Sequence, residues 1–247
     1  TEWEKSEINR YIASGRHLLI AAKPGRQAIL NEITELLGVH FTDGILVHPS
    51  EDFAPDLITA TPTKEAAALS YILEGMLQME NLLSMPGCTG LTYSPDKGYQ
   101  VTPLFTSDPT GSWNELETTN FVEDTARLNL QAGEVERSHV TSVALSRNIG
   151  DKEQRIIIIG DADCLSNAVI EMWRKGINAR NYSFVRGAFS WLSYEEAPID
   201  VRRLIPPDNK IYIGKGGMKI TKHAMVEGLP GLLLVIALLI WLRRRGR

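Results

Sequence analysis

The 247-residue chain predicts an α/β domain, a mostly parallel sheet flanked by helices, followed by a stalk and one C-terminal transmembrane helix. Ile156 to Ile159 are four consecutive β-branched residues with no polar face, which suits a strand buried on both sides, as in a parallel sheet. Helix–strand steps with amphipathic stripes run along the chain before it. Gly228 to Leu242 carries no charge and is followed by Arg243, Arg244, Arg245 and Arg247, the pattern of a membrane helix with a basic stop. The expected units are an α/β domain over 1–198, a stalk over 199–227, a transmembrane helix over 228–242 and a basic tail over 243–247.

In chain order, Ser6 to Ala13 places Ile8, Tyr11 and Ile12 at helical spacing, and Ser14-Gly15 ends that helix before a strand over His17 to Ala22. Pro24-Gly25 leads to a second helix with a stripe of Ile29, Leu30, Ile33, Leu36 and Leu37, closed by Gly38. Gly44 to His48 and Leu57 to Ala60 read as short strands. Thr61-Pro62 is expected to open one long helix to about Glu80, with Leu69, Ile72, Leu73, Met76 and Leu77 facing the core. Leu82 to Met85 and Tyr99 to Thr106 are expected strands. Ser107 to Gln131 is polar and acidic and is expected as a surface excursion without regular structure. Val140 to Ser146 and the isoleucine strand are joined by Asn148-Ile149-Gly150-Asp151, which predicts a hairpin or adjacent strands. Helices are expected over Ala168 to Lys175, closed by Gly176, and around Phe184, Val185, Ala188, Phe189 and Leu192, ended by Pro198.

Composition excludes some functions. A net charge of -4 gives no electrostatic case for nucleic acid. Cys88 and Cys164 are the only cysteines and lack CxxC spacing, so neither a disulfide framework nor a zinc site is suggested. The chain opens Thr1-Glu2-Trp3-Glu4, with no basic n-region or apolar h-region. A helix followed by a buried strand is an unusual start for an α/β domain, so a C-terminal piece of a longer chain is expected. At about 1.5 Å per residue the uncharged stretch spans roughly 22 Å, short of a hydrocarbon core of about 30 Å, and flanking residues must supply the rest. A soluble core helix would show a polar face, and this stretch has none. The arginines place the C-terminus in the cytoplasm and the domain on the outer side.

Function is sought first where a loop leaves the carboxyl end of a strand, here Gly160 to Asn167. Asp161 and Asp163 could hold a divalent cation, but capping of the following helix explains them with fewer ligands. The loop lacks the spacing of a P-loop or a dinucleotide fingerprint. A catalytic Cys88 or Cys164 needs a base, and none of His17, His40, His48, His139 or His223 lies in a partner motif. Trp113, beside Ser107 and Ser112 in the polar excursion, is the aromatic best placed for partner contact.

Several stretches together resemble one family. Gly160-Asp161-Ala162-Asp163 with Ser166-Asn167 resembles the Gly-Asp-Ser-Asp…Ser-Asn signature of the auxiliary component of gliding-motility-type ABC transporters. Pro103 to Ser107 with Ser112-Trp113-Asn114-Glu115 is similar to its Pro-Leu-Leu-x-Thr-Ser…Ser-Trp segment. Asn181 to Leu192 looks like its asparagine-led helix, and Tyr11 to Ile20 like its Tyr-x-x-x-Gly-Gly-x-Leu-Leu step. The terminal Leu-Pro, apolar helix and arginine run agree. Ala162, Cys164 and Ser14 depart from the pattern.

The resemblance implies an extracytoplasmic domain of the class I glutamine-amidotransferase-like type, tethered to the bacterial inner membrane on its periplasmic side. It would be a non-enzymatic partner of an ABC-2 permease and its ATPase, binding a permease subunit, a partner protein or the exported substrate, with no cofactor. Asp161, Asp163, Asn167, Ser107 and Trp113 are the expected signature or contact residues. The alternatives are an amidotransferase-like or metal-dependent hydrolase, and a carbohydrate-binding module built around Trp113.

Overall fold

A computed structural model describes residues 2–122, 125–196 and 215–245. The chain falls into two compact units, Thr1–Ile199 and Asp200–Arg247.

In the first unit the elements follow as α1 (Glu2–Ala13), β1 (Leu18–Ala21), α2 (Gln27–Thr34), β2 (Val39–Phe41), β3 (Ile45–Val47), β4 (Leu57–Pro62), α3 (Lys64–Ala67), α4 (Tyr71–Gln78), β5 (Leu83–Pro86), β6 (Leu91–Tyr93), β7 (Gln100–Thr106), β8 (Trp113–Glu115), β9 (Val140–Ile149), β10 (Lys152–Ile159), α5 (Asn167–Ile170) and α6 (Asn181–Leu192). The main sheet runs β1-β10-β9-β7-β4-β5, with β6 joining β9 and β2 joining β6. Only β1 and β10 pair in parallel among the described strands, in the register Leu18 with Ile156 to Ala21 with Ile159; the remaining pairings are antiparallel. The sheet is therefore mixed, which corrects the expectation of a mostly parallel one.

The isoleucines explain the difference. Ile157 and Ile159 face a core formed with Leu73 and Met76 of α4 and Phe184, Ala188 and Trp191 of α6. Ile156 and Ile158 face a second core with Ile12 of α1, Leu37, Phe41 and Leu91. An unbroken apolar strand reports helices and strands covering both faces of the sheet. It does not report strand direction.

The expected hairpin forms: β9 and β10 pair antiparallel, with Ile149 opposite Lys152. Buried Gln154 fastens α1 to it, donating from Nε2 to the carbonyls of Ile12 and Arg16 at 2.8 Å and accepting from Arg147 Nε at 2.8 Å. Gly38 closes the turn after α2 in the left-handed region, φ 76°.

Three element expectations are corrected. The long helix over 61–80 is two helices, because Pro62 ends β4 and Thr63 and Ser70 each cap a new start. Thr63 Oγ1 accepts from Ala66 N at 3.0 Å and Ser70 Oγ from Ile72 N at 3.2 Å. The helix over 168–175 shortens to α5, followed by isolated bridges at Arg174 with Ile177 and at Leu82 with Ala179. The excursion contains β8, which pairs with β3 and buries Trp113.

The second unit is helical where described: α7 (Lys215–His223), a π-helical turn over Ala224–Gly228 and α8 (Leu229–Arg245). Ile220–Arg245 is long and apolar enough to cross a membrane, and none of its most apolar window is buried within the protein. Twenty-six residues give about 39 Å of helix, which supplies the length the uncharged stretch lacks. Pro198 and the first part of the expected stalk, 199–214, lie outside the described residues, as do the last two residues of the tail. The described part of that stalk, 215–227, is helical.

Candidate functional site

At the carboxyl end of β10 the chain runs Gly160-Asp161-Ala162-Asp163 beside the end of β1. Gly160 is required by a close approach: a Cβ there would stand 2.0 Å from the Thr89 carbonyl oxygen, and Thr89 N donates to Gly160 O at 2.9 Å across the same contact. Ala162 N donates to Ala22 O at 2.6 Å, locking the loop to β1.

Asp161 is 1% exposed. Its Oδ1 accepts the Asp163 N–H at 2.7 Å, while its buried Oδ2 has no partner. Burial pushes its pKa up to about 8; the nearby Asp163 charge adds to this, and the Asp163 N–H opposes it. Asp163 is half-exposed and meets Lys23 Nζ at 3.2 Å.

Asn167 is exposed at the start of α5, and Ser166 makes no side-chain cap. The asparagine that ties this loop down is Asn181, at the start of α6. Its Oδ1 accepts from Ser84 N at 3.0 Å, and its Nδ2 donates to Ser84 O at 2.7 Å and Cys164 O at 2.9 Å. Sequence reasoning used Asn181 only as the first residue of a helix. Its signal was an amide at a position where the capping residues before it, Ala179 and Arg180, offer no oxygen.

Both thiols lie in the core behind the loop. Cys88 Sγ donates to Thr89 O at 3.3 Å and Cys164 Sγ to Asp161 O at 3.0 Å, so each is engaged by a main-chain carbonyl. Burial, with the Asp161 carboxyl nearby, pushes both thiols well above the usual range, opposite to the direction that activates a nucleophile.

Ser107 and Trp113 are structural where the sequence suggested contact. Ser107 Oγ accepts from His139 N at 3.0 Å and Ser107 N donates to His139 O at 2.8 Å, stapling the start of the excursion to the residue before β9. Trp113 is 7% exposed and packs on Ile45, Val47 and Ala126, so the aromatic platform that a carbohydrate module would need is not built on it. Beside it, the carboxylates of Glu115, Glu117 and Glu134 converge, with ligand atoms within 4.8 Å of one another. Three carboxylates are what a hard divalent cation would use. Here the two buried ones already accept main-chain N–H groups: Glu115 from residues 117 and 118, and Glu134 from Leu116 and Asn129. They hold the excursion's turns, which explains why an acidic stretch is folded.

A third region was not found from the sequence. A cleft of about 380 Å³ lies over the amino-terminal part of β10. Its floor is a polar row across three strands, Gln100 paired with Ser146 and Ser146 with Arg155, continuing the face whose next row is Thr102, Ala144 and Ile157. Among the described residues the Gln100, Thr102 and Ser146 side chains have no hydrogen-bond partner.

Arg155 is held over Trp191 and Tyr194, 5.1 and 4.1 Å from the ring centroids. It donates to Glu153 at 2.7 Å and to Trp191 O at 2.7 Å. Tyr194 and Glu195 have φ of 55° and 63°, and Glu195 N donates to Ser190 O at 2.8 Å, closing α6 in the manner usually given to glycine. A tyrosine at that position costs backbone strain, offset by its ring against Arg155 and its hydroxyl donating to Glu153 O. The only hint in the sequence is the switch from Glu153 and Arg155 to Ile157 and Ile159 on one face of a strand.

The cleft can bind a polar group through unpartnered hydroxyls and an amide, with a fixed guanidinium beside them. Across all the comparisons made, no protein-family model, no curated protein and no solved structure matches this chain.

Proposed function

We propose that the protein is a membrane-anchored, non-catalytic auxiliary domain of an ABC-2-type transport system. On this reading it binds a permease subunit, a partner protein or the exported substrate, on a degenerate form of the class I glutamine-amidotransferase-like fold. The observation that carries the proposal is the apolar helix Ile220–Arg245 ending in three arginines, on a chain whose other unit is an α/β domain. The ordered resemblance of five separate stretches supports the same family. The state of the two thiols supports binding over acyl-transfer chemistry, because each is buried and donates to a main-chain carbonyl, which favours the thiol over the thiolate a nucleophile needs. The arginine run favours a cytoplasmic C-terminus and a periplasmic domain in the bacterial inner membrane. The cleft over Gln100, Ser146 and Arg155 supplies unpartnered polar groups for a contact.

Affinity purification of the full chain from native membranes in mild detergent, with mass spectrometry of what accompanies it, tests this reading. A multi-span permease and an ATP-binding subunit in comparable amounts are expected, with less recovered by a Gln100→Ala, Ser146→Ala double variant. Recovery of the chain alone from cross-linked membranes overturns the proposal.

A further inference from the structure

The outward face of a surface helix is ordinarily charged and polar. That of α6 carries two aromatic rings beside one cation: its exposed positions are Tyr182, Arg186 and Phe189, spaced i, i+4 and i+7 on one stripe, with Phe189 60% exposed. The segment leading into α6 repeats the combination. Met172 and Trp173 are exposed, Trp173 at 80%, followed by Arg174, Lys175 and Arg180.

From Met172 to Tyr194 there are four basic residues and no acid, on a chain whose net charge is -4. Glu171 and Glu195 stand at the two ends. Arg174 is engaged by Ser84 Oγ at 2.9 Å, whereas Lys175, Arg180 and Arg186 have no carboxylate partner among the described residues. The exposed apolar groups are mostly aromatic, the type that settles at the level of lipid headgroups, and basic side chains beside them find phosphate there.

We infer that the Met172–Phe189 face of the domain is a lipid-contact surface, which lays Trp173, Tyr182 and Phe189 into the headgroup layer of an anionic bilayer with Lys175, Arg180 and Arg186 on the phosphates. The charge pattern selects this occupant over a protein, since a stretch with four cations and no anion is complementary to a surface of one sign. Covalent connection to a membrane-spanning helix supplies the effective concentration that a patch this small needs. The inference rests on the membrane-spanning reading of Ile220–Arg245, but not on the identity of any transport partner.

The test uses the full chain with Met172→Cys carrying an environment-sensitive dye, Cys88 and Cys164 being buried. The labelled chain is reconstituted into nanodiscs of phosphatidylcholine alone or with phosphatidylglycerol. Co-elution with the discs reports insertion of the helix separately, so failure there sinks the membrane-spanning reading and is distinct from failure of the patch.

In anionic discs the dye emission is expected to shift to the blue and to be quenched by lipids brominated near the headgroup. The effect should reverse in high salt and weaken roughly fivefold for each of Lys175→Gln, Arg180→Gln and Arg186→Gln. Trp173→Ala should reduce quenching without altering thermal unfolding. Dye emission equally water-like in both discs overturns the inference, as does shielding that persists in lipid-free detergent, which would mean contact with protein instead.

Discussion

Burial takes the Asp161 carboxyl out of water at the end of β10, and with Oδ2 unpartnered the fold favours its protonated form. The folded pKa of about 8 lies above the ordinary carboxylate value of 3.8, so the native state holds a proton that the unfolded chain releases. Its contribution to stability is therefore complete below about pH 4 and is lost as pH rises through about 8. In between, unfolding free energy should fall by up to about 1.4 kcal/mol per pH unit from this group. Unfolding of the full chain in detergent at several values from pH 5 to 8 should show that fall, and Asp161→Asn should flatten it; parallel slopes for the two proteins refute the assignment. Gly160 makes a second residue-level case. Its alanine variant should lose about 2 kcal/mol or more in the same unfolding measurement, because the new Cβ meets main-chain oxygen, which cannot rotate away. The sequence showed a glycine ending a strand. The reason it must be glycine, the Thr89 carbonyl, comes from 71 positions away in the chain and has no local trace.

Elements were legible where their signal was local. The β9–β10 hairpin, the close of the segment after α2 at Gly38, and α6 all follow from periodicity and turn residues within a short window, whereas the expected α2 stripe is corrected: Ile29 and Leu36 are exposed, and Gln27, Asn31 and Thr34 are buried in their place. What failed was any inference needing partners distant in sequence. The direction of the strands around β10 is set by which neighbours pair with it, and four isoleucines suit a parallel β1 on one edge and an antiparallel β9 on the other. The excursion looked like surface because it is acidic, but Glu115 within it and Glu134 just after it are buried acceptors for its main chain. Asn167 and Asn181 put this contrast to the test. Asn181→Ala leaves the Ser84 amide and two carbonyls without partners where α6, β5 and the β10 loop meet, and should cost roughly 3 kcal/mol or more in unfolding free energy. Asn167→Ala, at an exposed position, should change stability by no more than about 0.5 kcal/mol. If the two variants behave alike, the loop is not held as described.

For the whole molecule, the division into two compact units makes membrane insertion and domain folding separable. The apolar helix of the second unit was legible in the sequence, because a 15-residue uncharged stretch and an arginine run need no distant partner to be recognised. Its length came only from the structure, through the helical turns before Gly228. A core helix and a membrane helix answer the same substitution in opposite ways. Val235 stands near the middle of the apolar run of α8. An arginine there costs about 3 kcal/mol on an insertion scale, against a gain of a few tenths for valine, so the ratio of inserted to uninserted chain should fall about two hundredfold. Alkaline extraction of membranes carrying Val235→Arg should release most of the chain, whereas the parent stays in the pellet. The released protein should keep the protease resistance of its α/β unit, whose two main cores are built from residues within Thr1–Ile199. Were α8 instead a terminal core helix, the parent would not sediment with membranes and the arginine would unfold the domain. The pairing of extraction with intact protease resistance is therefore the outcome that separates an anchor from a core element.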